Sequence, residues 1–230
     1  MIELTPLEIE ALTLSLRVAT WAVIGGLPVA MLVAWVLARR HFPGKTLLDG
    51  LVHLPLVLPP VVVGYALLVL FGREGPIGAW LQSAFGITVA FTWQGAALAS
   101  GVMAFPLMVR AIRLSLEAVD PRLESAARTL GASRPGVFAT VTLPLTGPGL
   151  LAAAILGFAR SLGEFGATIT FVSNIPGETR TLPLAIYSLI QMPGGEQGAL
   201  RLAVIAVLLA LIALAGSELL ARHLRRRIGT

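Results

Sequence analysis

Five long stretches of this 230-residue chain contain no charged side chain: Val18 to Ala38, Leu51 to Gly72, Pro76 to Val109, Pro135 to Ala159 and Leu202 to Ser217. No other feature limits the fold as severely. Crossing a hydrocarbon core roughly 30 Å thick takes about 20 apolar residues per helix. Inside lipid the backbone has no water to bond to, so an uninterrupted apolar run of this length is read as a helix, whose N–H and C=O groups pair within the segment. With 56% hydrophobic and 13% charged residues and a mean hydropathy of +0.86, the chain reads as an all-α integral membrane protein, a polytopic helical bundle forming a single domain over 1–230.

The charges lie at the ends of these runs, which decides between a membrane and a nucleic-acid reading of the net charge of +5. Three Lys or Arg residues fall in 39–50, five in 110–134 and four after 221, against only Arg73, Arg180 and Arg201 in the intervening connections. Basic loops stay in the cytoplasm, so the acidic N-terminus lies outside and the C-terminus inside. The N-terminal segment has no basic stretch and no small-residue cleavage pattern, unlike a signal peptide. Five crossings are predicted, at about 14–38, 51–72, 90–112, 140–163 and 202–221. The apolar segment 181–191 is too short to span and is read as re-entrant or interfacial, on the outer side.

Several spans carry residues that helices avoid. Pro55, Pro59, Pro60 and Gly64 lie in the second and Pro106 in the third; they are either kinks in a packed bundle or the shaping elements of a pore or gate. Small residues at 95–101 permit close helix approach. Arg160 and Glu164, at i and i+4 on the fourth span, should pair. That pair either locks the span or serves a translocation path. Pro59, Pro60, Gly64, Arg160, Glu164, Phe165 and Gly166 are the pathway candidates.

The segment DPRLESAARTLGASRPG, residues 120–136, is the exception to the apolar pattern. Asp120 followed by Pro121 is a helix start, and Gly131 a stop. Leu123, Ala126, Ala127 and Leu130 fall at i, i+3, i+4, i+7 as one apolar stripe, with Arg122, Glu124 and Arg128 elsewhere. The stripe suits either packing on the protein's own base or insertion into a partner's groove.

Here the sequence resembles a known family. Ala126, Ala127 and Gly131, followed by Leu143 and Pro144, match the cytoplasmic loop motif of ABC importer permeases; Ser125 stands at the motif's Glu position, Glu124 precedes it, and Val141 replaces Ile. Over nearly the whole chain the sequence is similar to the permease subunits of molybdate importers, with sulfate and thiosulfate permeases next. The resemblance implies a type I importer permease of about five transmembrane helices in a bacterial inner membrane. It implies a cytoplasmic coupling loop over about 114–139, with Leu123, Glu124, Ala126, Ala127, Leu130, Gly131, Leu143 and Pro144 as coupling residues. The partners it implies are a second copy of the chain, two cytoplasmic ATPase subunits carrying ATP and Mg, and an external oxyanion-binding protein, periplasmic or lipid-anchored, besides membrane lipid. No nucleic acid is expected, and no cofactor bound by this chain.

The residues agree with that division of labour. The chain lacks a G-x-x-x-x-G-K-[ST] phosphate loop, so it does not supply the ATPase itself. No cysteine is present, and His41, His53 and His223 are scattered away from ligand spacing, so no metal site is expected. An ion-coupled carrier would show inverted repeats and intramembrane acids, whereas the five uncharged runs contain none. An intramembrane hydrolase would need a nucleophile paired with a base, and His53 has no serine at a recognisable spacing.

Overall fold

The computed structural model describes the backbone of residues 4–228 and the side chains of residues 4–216, and every regular element among the described residues is a helix. Helix α1, Pro6–Arg39, opens with a capping box in which Thr5 and Glu8 bond each other's backbone N–H, and Pro121 later repeats the N-terminal proline seen here at Pro6. At about 51 Å it is longer than the hydrocarbon core is thick. The other long helices are α5, Trp93–Glu117, capped by Thr92, and α12, Glu196–Ile228.

Small residues decide how α1 and α5 meet. Ala22, Gly26, Ala30 and Ala34 recur every four residues along α1 and form a stripe of minimal bulk. A Cβ on Gly101 of α5 would lie 3.6 Å from the Ala22 carbonyl oxygen. Met108, fully buried, reaches into the space left by Gly26 and by Gly157, whose added Cβ atoms would stand 2.7 and 2.8 Å from its Cε and Sδ. Gly157 belongs to α9, Gly147–Leu162, so one flexible thioether fills the joint between three helices.

Two of the stretches that read as single spans are broken. Residues 51–72 fall in α2, Lys45–Val57, and α3, Pro60–Phe71, bent by 114°. The cause is Pro59–Pro60: neither offers an N–H, and Pro60 forces Pro59 out of the helical region, to ψ 133°. The segment Arg134–Leu145 continues into α9 through a 64° bend at Thr146, with Pro144 and Pro148 on either side of it. Beyond α3 comes a short helix, α4, Pro76–Phe85, so the uncharged run from Pro76 to Val109 is divided between α4 and α5.

The ends are tied by charge and hydrogen bonds. Arg113 of α5 holds Asp49 of α2 at 3.1 Å and Glu117 at 2.8 Å. At the other end Arg201 of α12 bonds Glu8 of α1 at 2.7 Å. Arg17, the one charge just inside the first expected crossing, lies 3.6 Å over the Trp93 ring, where cation–π attraction offsets part of its desolvation. The apolar segment at 181–191 forms α11, Leu182–Ile190, nine residues or about 14 Å, too short to span. It packs on α1 and α12 through Ala11, Leu182, Ala185 and Leu202, and the Leu182 N–H donates to Ser15 at 2.6 Å.

Candidate coupling and pathway sites

The charged segment folds as its punctuation demands. Asp120 accepts from the Arg122 N–H at 2.9 Å and α6 runs over Pro121–Thr129. Gly131 takes φ +90°, its N–H donates to the Arg128 carbonyl at 3.0 Å, and the Ala132 N–H donates to Ala127 at 3.1 Å. That pair of bonds is a Schellman stop, and the left-handed residue in it favours glycine.

Two faces of α6 differ. Leu123, Ala126 and Leu130 are exposed, Leu130 at 88%, and Ala127 is half-buried at the stripe's edge. Pro121, Glu124, Ser125 and Arg128 line a cleft against the C-terminal part of α1. At about 100° per residue the two sets lie on roughly opposite sides of the helix. The apolar stripe therefore faces away from the rest of the chain. What fastens α6 is Glu124: its Oε1 accepts from Arg39 Nη2 at 2.9 Å and from Thr142 Oγ1 at 2.8 Å. Arg39 ends α1, and Thr142 ends a π-helical turn, Phe138–Thr142, that follows the four-residue helix α7, Arg134–Val137. Leu143 and Pro144 come directly after this turn, in the three-residue helix α8, Leu143–Leu145, and both are exposed. Nothing in the sequence spacing links positions 39, 124 and 142; only tertiary structure reveals that Glu124 is an anchor.

Replacing Glu124 by Ala should release α6. Charge-assisted hydrogen bonds are worth about 1.5–3 kcal/mol each, so losing two should raise local opening more than about tenfold. Trypsin cleavage after Arg122 and Arg128 in the detergent-solubilised chain measures this; a cleavage rate equal to wild type would show that other contacts hold the helix.

The pathway candidates come together at a second place. Pro59 caps α3 and Pro60 opens it, and α3 crosses α10, Gly166–Val172, with backbones nearly touching. A Cβ on Gly64 would sit 2.5 Å from the Ala167 carbonyl oxygen, and one on Gly166 would sit 2.7 Å from Pro60 Cβ. Arg160 Nη1 and Glu164 Oε2 are 2.7 Å apart, while Glu164 Oε1 accepts the Ala167 N–H at 2.9 Å. Both carboxylate oxygens are thus engaged, and Glu164 is only 2% exposed. Phe165 stacks obliquely on Tyr187 of α11, ring centroids 5.1 Å apart. The carboxylate bridges the end of α9 and the start of α10, which is a structural use of the charge.

In Arg160→Gln/Glu164→Gln the amides keep one hydrogen bond each and no charge is stranded, so the double variant should fold. If the pair only braces the break, uptake stays within about threefold of wild type, well under 1 kcal/mol. A loss of uptake in well-folded protein would assign the pair to the path of the cargo.

The model of the binding-protein-dependent transport system inner membrane component family matches residues 26–229. The chain belongs to that family. This permease is 64% identical over 226 residues to the molybdenum transport system permease protein ModB of Escherichia coli, covering 98% of this chain and 99% of the relative. It is 59% identical over 223 residues to the protein of that name from Haemophilus influenzae, covering 97% of each. The sulfate transport system permease protein CysT of Escherichia coli is 45% identical over 161 residues, 70% of this chain and 58% of that protein. Among solved structures, a bacterial ABC transporter that imports alginate superposes with TM-score 0.71 at 19% identity, covering 99% of this chain and 82% of that one. The MetNI methionine ABC transporter gives 0.67 at 18%, covering 94% of each. The permease therefore has the type I ABC importer fold and is a multi-pass inner-membrane transport subunit, with ATP hydrolysis on a separate chain.

Proposed function

We propose that this permease carries molybdate as half of a homodimer, coupled to two cytoplasmic ATPase subunits that hold ATP and Mg and fed by an external oxyanion-binding protein. The observation that carries the cargo is identity of 64% spread over 98% of the chain, against 45% over 70% for the sulfate relative. A second copy is supported by α3, whose face away from α10 exposes Val61, Tyr65 and Val69, at i, i+4 and i+8. Such a stripe is suited to a symmetric contact with a path between the copies. The ATPase dock is the outward stripe Leu123, Ala126, Ala127 and Leu130, with Gly131 setting the turn and Leu143 and Pro144 continuing the surface. Glu124 holds this dock in register with α1. The residues where α3 crosses α10 form the inner frame of the path.

Vesicles containing the permease, its ATPase and the binding protein should take up molybdate only with ATP, and a tenfold excess of sulfate should leave uptake largely intact. Sulfate taken up equally well would move the assignment to the sulfate class. The proposed topology is five crossings with the N-terminus outside and the C-terminus in the cytoplasm, the second crossing being the bent α2–α3 pair. Single cysteines at Thr5 and Thr230 in this cysteine-free chain should label from opposite sides with an impermeant maleimide. Labelling from one side would mean that α2–α3 returns to the face it entered from.

A further inference from the structure

A cleft of about 810 Å³ opens between the C-terminal part of α1 and the α6–α7 segment. Its floor is apolar, made by Pro28, Leu32 and Trp35 at i, i+4 and i+7 on α1, with Phe138 opposite. Its rim is cationic: Arg39, Arg40, Arg128 and Arg134 stand there against one carboxylate, Glu124. That carboxylate is taken up by Arg39 and Thr142, and three arginines have no carboxylate within salt-bridge distance among the described residues. Arg39 Nε is buried without an acceptor. From Pro28 to Arg40 the helix rises about 18 Å, close to the roughly 15 Å of one leaflet's hydrocarbon. With the first crossing at about 14–38, as proposed above, Pro28 lies near mid-bilayer and the arginines at headgroup level.

We propose that an anionic phospholipid of the cytoplasmic leaflet occupies this cleft. Its phosphate sits among Arg40, Arg128 and Arg134, and an acyl chain lies along Leu32 and Pro28 beside Trp35. The arrangement is a basic pocket between membrane and juxtamembrane helices, which suits a lipid headgroup. A free oxyanion would make no use of the apolar floor. The ATPase is expected on the opposite face of α6, so both ligands fit at once. Bound there, the lipid braces α6 against α1 and makes coupling sensitive to the anionic lipid content of the membrane. The inference rests on the cytoplasmic placement of α6 proposed above.

The test uses the intact permease–ATPase assembly in phosphatidylcholine nanodiscs containing a small fixed fraction of lipid brominated on its acyl chain, either phosphatidylglycerol or phosphatidylcholine. Bromine quenches nearby tryptophan, and the difference between wild type and Trp35→Phe isolates the Trp35 signal. Brominated phosphatidylglycerol should quench Trp35 several-fold more than brominated phosphatidylcholine at equal fraction. Each arginine contributes roughly fivefold in affinity for an anionic lipid, so Arg128→Gln/Arg134→Gln should remove the several-fold excess and leave quenching by the two lipids nearly equal. Both side chains are exposed, so this variant should fold. Native mass spectrometry of wild type and the arginine variant counts bound phosphatidylglycerol directly and serves if Trp35→Phe does not assemble.

Equal quenching of wild type by the two lipids would overturn the proposal. So would displacement by glycerol phosphate as effective as that by short-chain phosphatidylglycerol, which would make the cleft a free-anion site. Loss of the ATPase from the arginine variant with lipid preference unchanged would assign the rim to the ATPase instead. A reversed orientation would appear in the cysteine labelling while the nanodisc preference stayed intact, so the two failures are distinguishable.

Discussion

Ala127→Glu is expected to abolish ATP-driven uptake while the permease still folds and reaches the membrane. Ala127 is the half-buried member of an otherwise exposed stripe that faces away from the chain's own base. Its methyl group lets another surface approach α6 closely. A carboxylate there adds bulk to a contact sized for a methyl and strands a charge where a partner excludes water. Together these should cost about 3 kcal/mol or more of docking free energy, over a hundredfold in affinity for the ATPase. Arg122→Ala is the control, since Arg122 lies on neither the stripe nor the cleft side of α6 and is exposed. Co-purification of the ATPase and ATP-driven uptake, measured for both variants, read the result. If Ala127→Glu keeps its ATPase and transports normally, coupling runs through another loop.

Gly64→Val should strongly destabilise the membrane domain. The added Cβ would collide with the Ala167 carbonyl oxygen, 2.5 Å away, and lie 2.9 Å from Ala167 Cα and from Thr170 Cβ. Two of these are backbone atoms, so relief requires α3 and α10 to separate. Overpacking of this kind costs about 1–3 kcal/mol where side chains yield, and the upper end is expected where backbone must move. Gly50→Ala is the matched control: that glycine lies in α2 with nothing within 4 Å of an added Cβ, and the change should be neutral or stabilise by about 0.5–1 kcal/mol. Thermal unfolding in detergent should separate the two by well over 5 °C, and uptake should fail only for the valine variant. A Gly64→Val protein that melts and transports like wild type would mean that the α3–α10 contact is loose in the membrane.

Much of this architecture is legible along the chain because the physics that writes it is local or periodic. Uncharged runs specify helices in lipid, since no other backbone state satisfies its own hydrogen bonds there. Asp120, Pro121 and Gly131 bound α6 because caps act on the nearest few backbone groups, and the structure begins and ends the helix on them. Helical spacing points to the Arg160–Glu164 pair, although α9 ends at Leu162 and Glu164 reaches Arg160 from the break that follows it. The family resemblance, carried by Ala126, Ala127, Gly131, Leu143 and Pro144, lies in one continuous loop, and the family match over 26–229 agrees with it.

What the sequence leaves open depends on contacts between distant positions. Pro59 and Pro60 announce a break, but a break has no direction until a neighbour gives it one; the 114° turn of α3 exists because Gly64 and Gly166 let it lie against α10. The charge of Glu124 reads as a solvated helix face, and becomes an anchor only when Arg39 and Thr142 arrive from 85 and 18 positions away. Four arginines scattered from 39 to 134 form one rim only once α6 folds back beneath α1. Local rules determine which segments are helices and where they stop, because hydrogen bonding and capping involve near neighbours. Which faces meet is decided by close packing, where a missing Cβ at one position and a carbonyl a hundred residues later either fit or collide.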